Sequence, residues 1–507
     1  HTFAHKALGE NLRPGMTMGP YGVHWDRGQT WWPMAEGYHR YISRCSFLLQ
    51  QGRTVADILY LTPEGAPHVF RPPQSALEGN DTIPDRRGYN FDGCSPLMLE
   101  RATVSDHKIV FPGGASYHLL VIPCRKTMTP RLAKKIRELV MAGATVTGNP
   151  PLHSPGLSGY PDCDRQVRKL ASNIWATEEI PTEVTAIKRG QGTLWWGGAL
   201  TPTGGEMYPH YDATVALLKS MKINEDFRSD GPVRYTHREL PHADIWFVSN
   251  KSDQLVTASC TFRDAKGAPE CWDPLTGAIR DLPEMTLQGA DAVIPMRFEP
   301  YQSFFVVFDH EKTPAPHAAL RNFYPQEVIQ TLEGPWKVSF DPRWGGPEEI
   351  VFDSLSDWAH HPVKGIRYYS GIAVYRKTFT FADSGTEGPV FLHLGKVKNM
   401  ARVRINGRDA GTVWTAPWQT DVTGMIRAGE NLLEIEVANL WVNRLIGDEQ
   451  LPYDGIRDSA FPDWLMNQKP RSSGRKTFST YSFYRADSPL LESGLLGPVT
   501  LRRENRN

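Results

Sequence analysis

A chain of 507 residues, 40% hydrophobic and 22% charged, sits in the ordinary globular range and is long enough for about three or four domains with separate cores. Lys plus Arg and Asp plus Glu both count 56, so no long-range field attracts a polyanion, and nucleic acid and acidic membrane surfaces are set aside as partners. No run approaches the ~18 consecutive apolar residues that a membrane-spanning helix needs.

The opening segment, 1–32, is dense in His, Gly, Pro and Trp. It reads as an ornate loop without the scaffold element that normally carries one, as if the chain began inside a domain. A helix follows from Pro33, with Met34, Tyr38, Cys45 and Leu48 at helical spacing and Gly52 as its stop. Val55–Leu61 is a short apolar strand, and Ile109–Phe111 and His118–Pro123 flank a Pro-Gly-Gly turn. Thr129 caps a helix with Pro130 at its first position, Leu132, Ile136, Leu139 and Val140 on one face, and Gly143 at its end. The strand ATVT (144–147) comes next, so the succession predicts a doubly wound parallel sheet, closed by GQGTLWWGG and a helix near Ala213–Met221. From about residue 235 the period changes from helical to strand-like. IWFVS (245–249), Leu255–Phe262, Glu270–Asp273 and SFFVVF (303–308) predict an antiparallel sandwich. A second all-β block begins near Tyr324, where Asn406-Gly407 between alternating strands marks a hairpin.

Fifteen Trp, 18 Tyr and 21 Phe suit both the apolar faces of sugars and the cores of sandwiches. The six cysteines show no CxxC and no ligand spacing, and only Cys260 and Cys271 are placed to meet across a hairpin.

Many segments, in order, resemble glycoside hydrolase family 106, the α-L-rhamnosidases. PGMTMGPYGVHWDRGQTWW (14–32) is similar to the stretch that closes that family's catalytic barrel. LLQQG (48–52), VADILYL (55–61), GYNFD (88–92), TMTP (127–130) and AGATVTG (142–148) follow in the family's order. So do ADIWFVSN (243–250), ECWDPLTG (270–277) and LGKVKNMARVRINGRDAGTVWTAPWQTDVT (394–423). The resemblance implies a multidomain α/β plus all-β chain. It places the end of a (β/α)8 barrel at 1–54 and an amidotransferase-like doubly wound α/β domain at 55–230. A β-sandwich at 231–323 and a galactose-binding-like β-sandwich at 324–507 complete it. It further implies a bacterial enzyme, periplasmic or secreted, that removes terminal α-L-rhamnose from plant glycans or glycosides with inversion and uses calcium at the sugar. The family's acid and base glutamates lie before the segment matching His1. They and the calcium ligands are therefore expected upstream, on a barrel portion that this chain requires as its partner.

Within the chain, His1, His5, His24, Asp26 and Trp31 are the candidates for substrate contact. Imidazoles hydrogen-bond hydroxyls, and an indole stacks on a sugar face. The bland alternative is a loop of satisfied histidines and buried aromatics. Asp26, in HWDR, is placed to orient His24 or pair Arg27; Glu36 falls on a solvated helix face. The histidine spacings fit no common zinc pattern. Cys124 stands after a strand, where an amidotransferase-like fold holds its nucleophile, and reads as structural. Trp414, Trp418, Trp441, Asn439, Asn443 and Arg444 cluster in the last block, with packing favoured over glycan contact. The rival to a hydrolase is a non-catalytic carbohydrate-binding or assembly module.

Overall fold

The computed structural model describes residues 2–3, 8–9, 11–17, 23–65, 68–79, 84–313, 320–382 and 388–505. The chain divides into two compact units, one of His1–Cys45, Pro274–Thr276 and Phe323–Asn507, the other of Ser46–Asp273 and Gly277–Asn322.

In the second of these, a six-stranded sheet has the order Thr185–Arg189, Gly192–Trp196, Thr145–Thr147, Leu119–Val121, Ile58–Leu61, Phe91–Cys94. All its pairings are parallel except that of the edge strand Thr185–Arg189. Side chains alternate between two faces, and both are covered, which is why these strands read as unbroken apolar runs. Leu59, Leu120, Val146 and Leu194 meet Leu132, Ile136 and Val140 of the helix Pro130–Ala142. Ile58, Tyr60, Leu119 and Val121 meet Tyr211, Leu217 and Leu218 of the helix Tyr211–Ser220. The predicted cap is present: the Thr129 hydroxyl accepts the Leu132 N–H at 3.3 Å, and Gly143 closes the helix at φ +125°.

The same unit holds an antiparallel sandwich. Phe227–Ser229, Val256–Phe262, Asp291–Phe298 and Thr286–Gln288 form one sheet. Ile279–Asp281, Ala268–Trp272, Ser303–Asp309, Ala243–Asn250, Val233–Glu239 and Arg53–Thr54 form the other. Phe262 from the first meets Trp246 and Phe308 from the second, with ring centroids 5.3 and 5.5 Å away. Cys260 and Cys271 lie in different sheets, and all six cysteines are free thiols, so the hairpin pairing does not form.

A buried charge network runs through this unit. Arg263 donates to both carboxylate oxygens of Asp57 at 3.2 Å and lies 3.4 Å from Asp226. Asp57 also accepts from His118 at 2.9 Å. His237 stacks on Trp246 at 3.7 Å and faces Asp226 with Nδ1 at 3.0 Å and Asp244 with Nε2 at 3.3 Å. A ring with a carboxylate on each nitrogen satisfies both only as imidazolium. Burial opposes that charge, but Asp226 and Asp244 outweigh it and raise the His237 pKa. Burial likewise opposes ionisation of Asp57 and Asp244, yet His118 and Arg263 around the first, and His237 and His310 around the second, hold both below the usual carboxylate value.

The other unit is a second sandwich. Its six-stranded sheet has the order Ile350–Phe352, Trp336–Ser339, Ile372–Phe381, Gly429–Ala438, Met400–Ile405, Arg408–Val413. Gln326–Thr331, Thr500–Glu504, Val390–His393 and Gln419–Asp421 face it. Trp336, Trp358, Tyr375, Leu392, Val403, Ile435 and Leu501 fill the core. Asn406 and Gly407 turn the predicted hairpin at φ +53° and +77°, both positive as such a tight turn demands. To this sandwich the unit adds two short parallel pairings from the opening segment, Thr2–Phe3 with Val23–His24 and Pro14–Gly15 with Phe478–Ser479.

His237→Leu, which removes the shared cation and leaves Asp226 with only Arg263 and Asp244 with only His310, is expected to cost about 3 kcal/mol in denaturant unfolding. His237 has a raised folded pKa, so its contribution is complete below the unfolded value of about 6.5 and is lost as pH rises through the folded value. Asp57 and Asp244 have lowered pKa values, so theirs is complete above about 3.9 and is lost as pH falls through the folded values. Stability should therefore decline on the alkaline side of about pH 6.5 in the parent and lose that slope in the variant.

Candidate functional site

Val23–His24 pairs in parallel with Thr2–Phe3, in the register Phe3 opposite His24. His24 thus stands at the carboxyl end of its strand, and the segment 25–33 leaves from that end. His24 is half-buried and engaged within the protein. His1 and His5 lie outside the described residues.

The loop is fixed from beneath. The buried Thr30 hydroxyl donates to the Asn439 carbonyl, the Trp441 indole N–H donates to the Gly28 carbonyl at 2.8 Å, and Arg402 donates to the Pro33 carbonyl. Asp26 accepts the Gly28 N–H at 2.6 Å, a local turn that spends part of its acceptor capacity on the loop's own backbone. A β-carbon at Gly28 would lie 2.8 Å from Asp26 Oδ1 and 3.0 Å from the Pro14 carbonyl oxygen, a close approach of the two chain segments that glycine eases. Trp31 packs against a small core of Met34, Met400 and Ala438, beside Trp414. It anchors the loop as much as it lines anything.

Trp25 lies 4.7 Å from both Trp31 and Tyr38 and donates its indole N–H to His39 Nε2 at 2.7 Å. An indole nitrogen only donates, so His39 Nε2 is the acceptor and the ring proton sits on Nδ1. Beside this ladder a groove of about 540 Å³ runs along the first half of the helix Ala35–Leu49, lined by Trp32, Glu36, His39, Arg40, Ser43 and Arg44 among others. The loop residues Asp26 and Trp31 do not line it. Glu36, His39, Arg40 and Ser43 share one helix face at spacings of three and four, a pattern visible in the sequence but attributable there to a solvated face. Arg44 is held by the carbonyls of Pro274 and Leu275 at 3.0 and 2.9 Å.

Of the described acids near the loop, Asp26 accepts the Gly28 amide and Glu36 pairs with Arg40 at 2.5 Å in an exposed pair. Among the described residues no three His, Cys, Asp or Glu side chains converge as a metal site, so no carboxylate cluster of the kind calcium favours stands among them. The polar residues of the last block are used internally. Asn439 bonds Gly371, Tyr369 and Ser493; Asn443 bonds Leu491 and Ser493; Arg444 pairs with buried Asp448 at 3.0 Å. Trp418 packs on the sandwich core. In the other unit Cys124 is half-buried and receives the Asn149 amide at 3.5 Å, with no acid or base joined to it among the described residues.

The α-L-rhamnosidase model of glycoside hydrolase family 106 matches residues 1–285, and a galactose-binding-like domain of glycosyl hydrolase family 2 matches 368–491. The structure of a rhamnosidase from Novosphingobium sp. PP1Y is similar at a TM-score of 0.79 and 28% identity, over 98% of this chain and 43% of that one. A protein of Formosa agariphila, named "Putative beta-glucuronidase", is 23% identical over 99% of this chain and 59% of its own length. The chain thus spans roughly half the length of the relatives it matches.

Thr30→Val keeps the volume but removes the hydroxyl that holds the loop to Asn439. It should lower unfolding free energy by about 0.5–1.5 kcal/mol and speed proteolysis within 24–32. Unchanged cleavage there would show that the loop is held by other means.

Proposed function

This chain belongs to glycoside hydrolase family 106, the α-L-rhamnosidases, and from that premise we propose that it is the carboxy-terminal part of an enzyme that removes terminal α-L-rhamnose from plant glycans or glycosides by inverting hydrolysis. The observation that carries the reading is the position of His24 at the carboxyl end of a strand in a parallel pair. In barrel enzymes the residues that meet substrate stand at those ends. Thr2–Phe3 and Val23–His24 are, on this reading, the closing strands of the barrel, and His1, His5, His24, Asp26 and Trp31 belong to its sugar-facing rim.

Inverting hydrolysis needs a carboxylic acid and a carboxylate about 6.5–9.5 Å apart across the sugar. Asp26 and Glu36 are tied to the Gly28 amide and to Arg40, which supports assigning the pair to barrel strands that precede residue 1. Calcium, if the family's use of it extends to this enzyme, takes its ligands from that same portion. This chain's part in the reaction is then to bind and orient. A half-buried imidazole hydrogen-bonds ring hydroxyls, the indoles cover the apolar sugar face, and the anchored loop holds both in place. The segment 55–230 serves as an amidotransferase-like scaffold without chemistry of its own. The substrates imply action outside the cytoplasm, in the periplasm or the medium; among the described residues no helix is long and apolar enough to cross a membrane.

The 507-residue chain should leave an aryl α-L-rhamnoside intact, while the enzyme that includes the preceding barrel portion should hydrolyse it and release the β-anomer first. In that enzyme His24→Ala is expected to lower kcat/KM roughly 10- to 1000-fold, about 1.4–4 kcal/mol of transition-state stabilisation, with the thermal midpoint unchanged. Normal kinetics in the variant would remove His24 from the site. Turnover by the isolated chain would return the acid and base to Asp26 or Glu36.

A further inference from the structure

The segment 449–484 contains only a four-residue helix, Asp463–Met466, and a two-residue strand, Phe478–Ser479. Irregular segments of that length inside compact domains are uncommon, and ordered ones are usually functional. This arm owes its shape to charge. Arg471 donates to both oxygens of Asp454 at 2.5 and 2.7 Å, and Ser473 joins the same carboxylate. Arg475 donates to Glu449 at 2.8 Å and to the Leu451 and Pro452 carbonyls at 3.0 Å. Asp448, 1% exposed, accepts the backbone N–H groups of Lys476 and Thr477 at 2.9 and 2.6 Å. Arg471 lies over the Trp464 ring at 4.8 Å, and Arg475 over Tyr453 at 5.1 Å. Ion pairs taken out of water add little net stability, but they fix geometry.

The arm exposes Met466, Phe461 and Tyr481, and Phe483 and Tyr484 stand half-buried beside the last of these. Tyr481 is 46% exposed, its ring 4.9 Å from that of Phe483, which lies 6.1 Å from Tyr484. The crevice behind these rings holds only about 30 Å³, room for a water but not a sugar, so a ligand must use their outer faces. The platform also has a definite place. Phe478–Ser479 pairs with Pro14–Gly15, the Thr17 N–H donates to the Thr480 hydroxyl at 2.9 Å, and the Pro14 carbonyl abuts Gly28 in the candidate rim. The rings thus begin where the arm leaves its contact with the segment that supports the rim.

We propose that Tyr481, Phe483 and Tyr484 form a distal sugar subsite, which stacks pyranose rings of the oligosaccharide beyond its terminal residue. The inference rests on the glycosidase reading above and adds the length of substrate that the enzyme grips. A ring face rich in C–H groups matches an aromatic face, and the neighbouring Ser482 and tyrosine hydroxyls supply partners for sugar hydroxyls. A fixed platform binds without an ordering cost at the moment of contact.

The test titrates the 507-residue chain with a rhamnose-capped rhamnogalacturonan oligosaccharide, with the same oligosaccharide after removal of the cap, and with methyl α-L-rhamnoside. Tyr481→Ala with Phe483→Ala should weaken binding of both oligosaccharides by about 10-fold or more, in the range of a lost aromatic hot spot, and leave the monosaccharide unaffected. Tyr481→Phe, which keeps the stacking face, should retain binding within about 2-fold. Equal affinity of parent and double variant for the oligosaccharides, or no oligosaccharide binding by the parent, overturns the subsite. Loss in the double variant keeps the subsite, and failure of the enzyme that includes the preceding barrel portion to release rhamnose from the capped oligosaccharide counts instead against the rhamnosidase reading.

Discussion

Asn439, 1% exposed, ties the sandwich to the loop that follows His24. Its carboxamide oxygen accepts the Gly371 N–H at 3.0 Å, and its carboxamide nitrogen donates to the Tyr369 carbonyl at 2.8 Å and the Ser493 hydroxyl at 3.2 Å. Its main-chain carbonyl takes the Thr30 hydroxyl. In a low-dielectric interior every one of these groups must be satisfied, because each orphan would cost as much as a lost bond. Asn439 directly follows the strand Gly429–Ala438, which lies inside the six-stranded sheet. The loop is thereby referenced to the core of the sandwich, and Trp441 repeats the tie at Gly28.

Polar bracing recurs wherever this protein must hold a shape that apolar packing does not specify. The Arg263–Asp57–Asp226–His237–Asp244 network does so in one unit, and the Asp448, Asp454, Arg471 and Arg475 pairings do so along the 449–484 arm in the other. Such networks contribute specificity more readily than stability. They also make the protein's stability depend on pH through named groups, since the folded charges of His237, Asp57 and Asp244 are those that burial alone would suppress. The aromatic residues divide similarly: Trp246, Trp336 and Trp358 fill cores, while Trp25 and Trp32 are half-buried and Tyr481 is exposed.

The elements legible in the sequence are those with a strong local signal. Thr129, Pro130 and Gly143 bracket their helix by capping chemistry, Asn406-Gly407 sets its hairpin, SFFVVF forms a buried strand, and of VADILYL the apolar end Ile58–Leu61 does so. The helix Asp162–Ser172 was hidden because only Cys163, Val167 and Ala171 are buried on a mostly charged segment. The order of the parallel sheet, the pairing of Arg53–Thr54 with Arg238–Glu239, and the separation of Cys260 from Cys271 are long-range facts that no local pattern encodes. For the candidate rim, residue types pointed to His24, Asp26 and Trp31, but not to the use of Asp26 by the Gly28 amide or of Trp31 in the Met34 core. Those depend on partners hundreds of positions away, or on a turn too irregular to infer.

The central claim is that the loop 23–32, held by the sandwich, faces the terminal sugar. Hydrogen–deuterium exchange on the intact enzyme with and without saturating L-rhamnose tests it most directly, because amide protection reports where the sugar sits, independently of turnover. Protection concentrated in 23–32, with the sandwich core unchanged, is the predicted result. Rhamnose binding that leaves 23–32 exchanging at its free rate, with protection elsewhere in the chain, would contradict the assignment.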